Sequence, residues 1–518
     1  MIARANVSLV RSWRSLALVA LVLGGIAGMW LLSDRTLASL PPAVLAVGGA
    51  GLVAFLSTRR PVVAFGILFL LASLSRWTID TQLGNMRLEQ PAIAAGLLAL
   101  LYARRLPDLA TWRRLRPMAI AFVIYLGALI ASSLLYSPDR ADSLRMIVWI
   151  GLSMAGGLLA FLLLFEEGPE GGPHWLRLAT VPQAAAGILV ALLFYSIAGG
   201  QSLPGMDIKV FGLSWEANVY ASLLGAITPF AIEECRSRPR LRSAALVALM
   251  LAGLAVGLTR GAYLGLAAGL IAYAGVILYR KQEPRRLLLP GSVAIGAIVV
   301  GIFVAPALLS SARTQAQQID VTIPGWGRGL AIGPYVLPGL PGHTLIGQLR
   351  VDPIPPVTPV TPVPPAGGSK PPPVVEPPDT DTLAFRLARI PTALTDWQRD
   401  PVIGLGANSF GQRHIDLSQG PAVPDHLAIL AVAALYESGV VGFAGLTVGF
   451  ALLLLALWRA SGRPATGPIA AAYLGSLISL LVAYQATNAL NFSLIWLIAG
   501  AGLALAFSKT ADGSRAPE

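Results

Sequence analysis

Apolar runs close to the length of a bilayer crossing recur along this chain, at residues 15–32, 42–57, 61–75, 91–103, 118–135, 143–165, 178–198, 217–232, 243–258, 262–279, 288–309, 439–458, 468–485 and 492–507. In hydrocarbon no water is present to satisfy backbone amides and carbonyls, so a segment of this kind can cross only as a helix or as part of a closed barrel. Runs of this length match the helix of about 20 residues that a bilayer requires. The pattern predicts an all-α polytopic membrane protein with about 14 transmembrane helices, 12–14 allowing for the short runs. The mean hydropathy of +0.68 and a charged fraction of only 12% agree.

The charges that remain are unevenly placed. The formal net charge is +12 and the pI about 10.2, yet no basic stripe with interleaved aromatics of the kind that binds nucleic acid occurs. With the N-terminus inside, 23 of the 38 basic residues fall in cytoplasmic segments, and only Arg35, Arg76, Arg87, Arg140, Arg145, Lys209 and Arg260 fall in short outer loops. That bias predicts cytoplasmic N- and C-termini and places the one long polar segment outside the cell membrane. Arg4, Arg11 and Arg14 precede the first run without a convincing cleavage site after it, so a retained first span is expected. The lone Cys235 excludes a disulfide within the chain and a cysteine-rich zinc site.

Three regions are expected: an N-terminal bundle at 1–309, an extracytoplasmic loop domain at 310–438, and C-terminal transmembrane helices with a short cytoplasmic tail at 439–518. Within the loop, 353–378 holds twelve prolines in 26 residues, a composition that favours extended polyproline II and buries no core. A helical pattern resumes at DTDTLAFRLARI, where Asp381 is a candidate cap. The DTD sequence invites a sugar-nucleotide and metal reading, which an extracytoplasmic position argues against. No HExxH or paired-histidine spacing and no Walker glycine-lysine loop occurs, so neither a metal nor another cofactor is expected.

Several polar groups stand out on the predicted outer side. Arg260 lies in GLTRGAYLG between two apolar runs, with Thr259 as candidate N-cap of the second. A guanidinium converging with helix-terminal amides suits a phosphate, against the commoner reading of an arginine reaching to the interface. Arg386 and Arg389 are three apart and share a helical face, a spacing that suits either a diphosphate grip or a solvated face. Gly404 and Gly406 in PVIGLGANSFG form a candidate anion-binding turn. His426 opens the stretch HLAILAVAALYESG, where a helix N-terminus favours the neutral, basic imidazole; a structural histidine is the alternative. Glu437, about three turns further on, is a candidate support but too distant, at about 16 Å of helix rise, to orient His426.

Taken together, WEANVYASLLG at Trp215 to Gly225, LTRGAYLGL at Leu258 to Leu266, DPVIGLGANSF at Asp400 to Phe410, and HLAIL followed by YESGVVGFAGL between His426 and Leu446 resemble the O-antigen ligase and polymerase superfamily. These are integral-membrane glycosyltransferases that use glycans carried on undecaprenyl diphosphate. The resemblance implies that Arg260 contacts the lipid diphosphate, that Arg386, or less readily Arg389, is the loop arginine, and that His426 is the base. Thr259 stands where the family usually has serine, and Leu427 where it usually has asparagine. The proline-rich stretch has no counterpart in the family's pattern.

The function expected on this resemblance is an inverting, metal-independent transfer of a glycan from an undecaprenyl-diphosphate donor to an acceptor hydroxyl at the outer membrane face. The acceptor is another glycan, a lipid A core or another hydroxyl-bearing molecule, and the protein sits in the cell inner membrane. A polysaccharide polymerase of the same superfamily is the first alternative. A lipid or polysaccharide flippase is the alternative from another class, against which stands an expected scarcity of buried charge in the spans. A non-catalytic assembly protein docking through its proline-rich arm is a third.

Overall fold

The structure, a computed structural model, describes residues 40–75, 78–81, 84–165, 171–197, 213–214, 217–257, 259–282, 291, 296, 330–332, 335–337, 386–414 and 427–508. The apolar runs within these residues fold as helices. In chain order they are α1 (Leu40–Arg59), α2 (Pro61–Ser73), α3 (Glu89–Tyr102), α4 (Leu109–Tyr136), α5 (Arg140–Phe165), α6 (Gly171–Ile197), α7 (Ala217–Ser237), α8 (Leu241–Val256) and α9 (Arg260–Tyr279). Further along the chain come α10 (Arg389–Trp397), α11 (Ser409–Arg413), α12 (Leu430–Ala460), α13 (Gly467–Ala483) and α14 (Ser493–Phe507). Four of them, α4, α5, α9 and α12, are long and apolar enough to cross a membrane. The runs at 15–32 and, apart from residues 291 and 296, at 288–309 lie outside the described residues, as do Asp381 and the proline-rich 353–378.

Two short antiparallel hairpins qualify the all-α expectation. β1 (Thr78–Thr81) pairs with β2 (Gly84–Arg87), Thr78 opposite Arg87, and β3 (Leu330–Ile332) pairs with β4 (Tyr335–Leu337). Both lie in connections that the sequence places outside the bundle.

Between apolar helices there is little hydrophobic gain over lipid, so close approach of small residues decides packing. Gly261, Gly265 and Gly269 recur every four residues along α9 and face α13. A Cβ on Gly265 would stand 2.5 Å from the Ser479 carbonyl oxygen, and one on Gly269 2.5 Å from that of Gly475. The two backbones therefore touch at Gly265 and Gly269. Elsewhere α5 lies along α14, and α4 along α12.

Buried charges gather just beyond the ends of the apolar runs. Glu233 takes two hydrogen bonds from the Arg236 guanidinium, at 2.8 and 2.9 Å, and one from the Tyr273 hydroxyl at 2.6 Å, while Arg177 pairs with Glu234 at 2.7 Å. At another level Arg87 donates to the Asn491 carbonyl at 2.6 Å with its guanidinium 3.7 Å above the Phe492 ring, and Ser493 donates to Glu89. Burial pulls the Arg87 guanidinium below its ordinary value, and neighbouring Glu89 opposes that shift. Glu233, Arg236, Arg177, Arg87 and Glu89 all lie just beyond the ends of the expected spans, where the burial of a charge is offset by partners such as these.

Candidate functional site

The centre of the candidate site is a splice between two segments. Gly439 interrupts α12 with φ 62 and ψ −171, so the helix that the hydropathy pattern starts at 439 starts instead at Leu430 and breaks at 439. An unbroken helix would bond the amides of Val440 and Val441 to the carbonyls of Tyr436 and Glu437. Here those amides go to Pro401 and Val402, at 2.9 and 3.1 Å, and the two vacated carbonyls accept from Leu405 and Gly406, at 2.9 and 3.1 Å. The turn from Pro401 to Gly406 is thus inserted into the helix's own hydrogen-bond ladder. Ser132 of α4 adds a second donor to the Glu437 carbonyl at 2.7 Å.

Beyond the splice the turn is tied down residue by residue. The Ala407 amide donates to Ser133 Oγ at 2.9 Å, and Ser143 donates to the Ala407 carbonyl at 2.5 Å. The Asn408 amide donates to Glu437 Oε1 at 3.1 Å, and Asn408 Nδ2 to Asp142 Oδ2 at 2.9 Å. Gln412 also donates to Asp142, and Arg413 donates to the Tyr136 carbonyl. The amides of Gly404 through Ser409 are therefore all bonded within the protein. Gly404 and Gly406, with φ +82 and +104, give this turn its shape. Glu437 supports this turn, through both its carbonyl and its side chain.

Around the splice lies a small apolar cluster of Ala393, Leu405, Phe410, Leu427, Ala433 and Tyr436. It joins α10, the turn and the start of α12. Leu427 is buried in it, an apolar seat that explains a leucine at that position. His426, the residue before it, lies outside the described residues, and α12 begins four positions later, after an extended Ile429.

Arg260 opens α9 and is exposed, with no hydrogen bond or ion pair among the described residues. Thr259 occupies the N-cap position, but its hydroxyl donates to the Gly257 carbonyl at 2.9 Å instead of capping the helix. Arg386 is half-buried and Arg389 is buried, and each has an interaction partner.

The turn after α13 brings the two halves of the candidate site together. A Cβ on Gly261, beside Arg260, would lie 2.5 Å from that of Ala486. The Leu430 amide donates to the Tyr484 carbonyl at 3.2 Å, and the Ala431 amide to Gln485 Oε1 at 3.2 Å. Ile429 offers no side-chain cap, so the first amides of α12 are satisfied by another helix's end. The segment leaving His426 and the turn carrying Arg260 are consequently seated on neighbouring residues, 484–486.

One pair escaped the sequence reading. His414 Nε2 lies 2.5 Å from Asp396 Oδ2, both side chains are largely buried, and the imidazole packs on Phe410 with ring centroids 4.8 Å apart. Eighteen residues separate the two in sequence, and no local periodicity signals the contact.

Helices of this length and composition define a multi-pass α-helical membrane protein. Residues 245–447 match the family model described as O-antigen ligase, so over that stretch the resemblance to the O-antigen ligase superfamily is borne out. The match holds Arg260, Arg386, Arg389, Gly404, Gly406, His426 and Glu437, whereas Ser132, Ser133, Asp142, Tyr484 and Gln485, which bond the turn and the start of α12, lie outside it. No curated protein matches the chain.

Proposed function

We propose that the protein is an inverting glycosyltransferase that moves a glycan from an undecaprenyl-diphosphate donor to an acceptor hydroxyl at the outer face of the inner membrane. The observation that carries this reading is the convergence of Arg260 and the segment following His426 on residues 484–486, within a family match to O-antigen ligases. Arg260, exposed and without a partner among the described residues, meets the diphosphate, and Arg386 is the second cation. As the acceptor oxygen bonds to the anomeric carbon, the bond from that carbon to the diphosphate breaks. The two guanidiniums stabilise the charge gathering on the leaving group. The acceptor's proton passes to His426. The acceptor is a glycan, a lipid A core or another hydroxyl-bearing molecule, which leaves ligase and polymerase activities as two versions of one chemistry.

Cells in which the protein carries His426→Ala are expected to accumulate lipid-linked glycan and lose its transferred product. Undiminished transfer by that variant would remove His426 from the mechanism. Accumulation of full-length chains points to a ligase, and of single repeat units to a polymerase.

A further inference from the structure

The bundle reaches α10 through a chain of polar links. α11 is bolted to α4 and α5 by Arg413 on the Tyr136 carbonyl, by Gln412 on Asp142, and by Asn408 on Asp142. His414, the C-cap of α11, is in turn bonded to Asp396 near the end of α10. The other attachments of α10 to this region include Ala393 in the apolar cluster and Trp397 against its edge. Apolar contact is non-directional and leaves a short helix free to rotate or slide, whereas a hydrogen bond fixes both. Arg389 lies seven residues before Asp396, two turns along the same face, so any rotation of α10 displaces both together. Arg399, 3.5 Å from the other Asp396 oxygen, is largely exposed and adds little.

We propose that Asp396 and His414 are a positioning pair that sets the rotation of α10 and so aims Arg389, its first residue, together with Arg386 three residues before it, at the lipid diphosphate; this rests on the diphosphate-binding reading above. The pair belongs to the donor side of the site, and His414 itself takes no proton from the acceptor.

The test uses the full chain in detergent with undecaprenyl diphosphate as the binding probe. His414→Phe keeps a ring against Phe410 but loses the bond, and is expected to weaken binding about tenfold, the effect of roughly 1.4 kcal/mol. His414→Gln places an amide N–H where Nε2 stands and has no basicity. It is expected to recover most of the affinity and to leave glycan transfer with the unaltered pH profile. Monodisperse elution of both variants controls for folding. Unchanged binding by His414→Phe, with Arg386→Ala weakening it, overturns the positioning role alone. Loss of transfer by His414→Gln despite normal binding also overturns it, by making His414 a proton-handling group. If Arg260→Ala and Arg386→Ala both bind the probe normally, the diphosphate reading itself fails.

Discussion

Gly404 and Gly439 meet backbone to backbone, and neither position has room for a Cβ. A Cβ on Gly404 would collide with the Gly439 amide nitrogen and stand 2.7 Å from the Glu437 carbonyl carbon; one on Gly439 would collide with the Val402 carbonyl. Both residues have left-handed φ, +82 and +62. The contact lets a turn take over the hydrogen bonds of a broken helix, so the Val440 and Val441 amides and the Tyr436 and Glu437 carbonyls all keep partners.

Gly404→Ala and Gly439→Ala are each expected to destabilise the protein by at least about 2 kcal/mol, from left-handed strain of about 1–3 kcal/mol and displaced backbone. Thermal melting in detergent reads the loss. The double substitution is expected to cost less than the sum, because either change alone pries the turn out of the helix. Strict additivity would mean that the two glycines act separately and that the splice is not a unit.

Glu437 tests whether the side-chain bond to the Asn408 amide matters. Glu437→Gln keeps an acceptor at Oε1 and is expected to change stability little, whereas Glu437→Ala leaves that amide unpaired at a cost of about 1–3 kcal/mol. Equal losses from the two variants would assign the effect to charge instead.

The bundle was legible in the sequence because period and length survive any tertiary arrangement: runs such as 143–165 and 262–279 fall on α5 and α9 almost residue for residue. The site was legible only in parts. The motifs DPVIGLGANSF and YESGVVG mark where special backbone occurs, but each glycine's requirement comes from the other segment, which composition does not reveal. Gly261, Gly265 and Gly269 carried a readable four-residue spacing pointing to close helix packing, and that signal went unread. The Asp396–His414 bond had no such signal, since it depends on where α11 is bolted to α4 and α5.

Glu233 offers a check on the bundle away from the site. Its carboxylate neutralises the buried Arg236 and accepts from Tyr273, so Glu233→Ala strands a buried cation and is expected to cost about 3–5 kcal/mol. Pairing it with Arg236→Met removes the stranded charge and is expected to recover part of the loss. A double variant no better than the single one would show that the network's packing, and not its charge balance, matters.

Arg260 is the residue at which stability and activity should separate most clearly. It is exposed and has no hydrogen-bond or ion-pair partner among the described residues, so Arg260→Ala is expected to change stability by no more than about 0.5 kcal/mol. If it grips the donor's diphosphate, removing it takes away a charge-assisted contact that strengthens as the leaving group departs, and transfer should fall by at least about a hundredfold. Arg260→Lys retains the charge but not the planar fork, and is expected to recover only part of that activity. Melting temperature and glycan transfer measured on the same preparations decide the matter: a stable Arg260→Ala variant with normal transfer removes Arg260 from the site, whereas a lysine variant equal to the native protein would mean that charge alone is required.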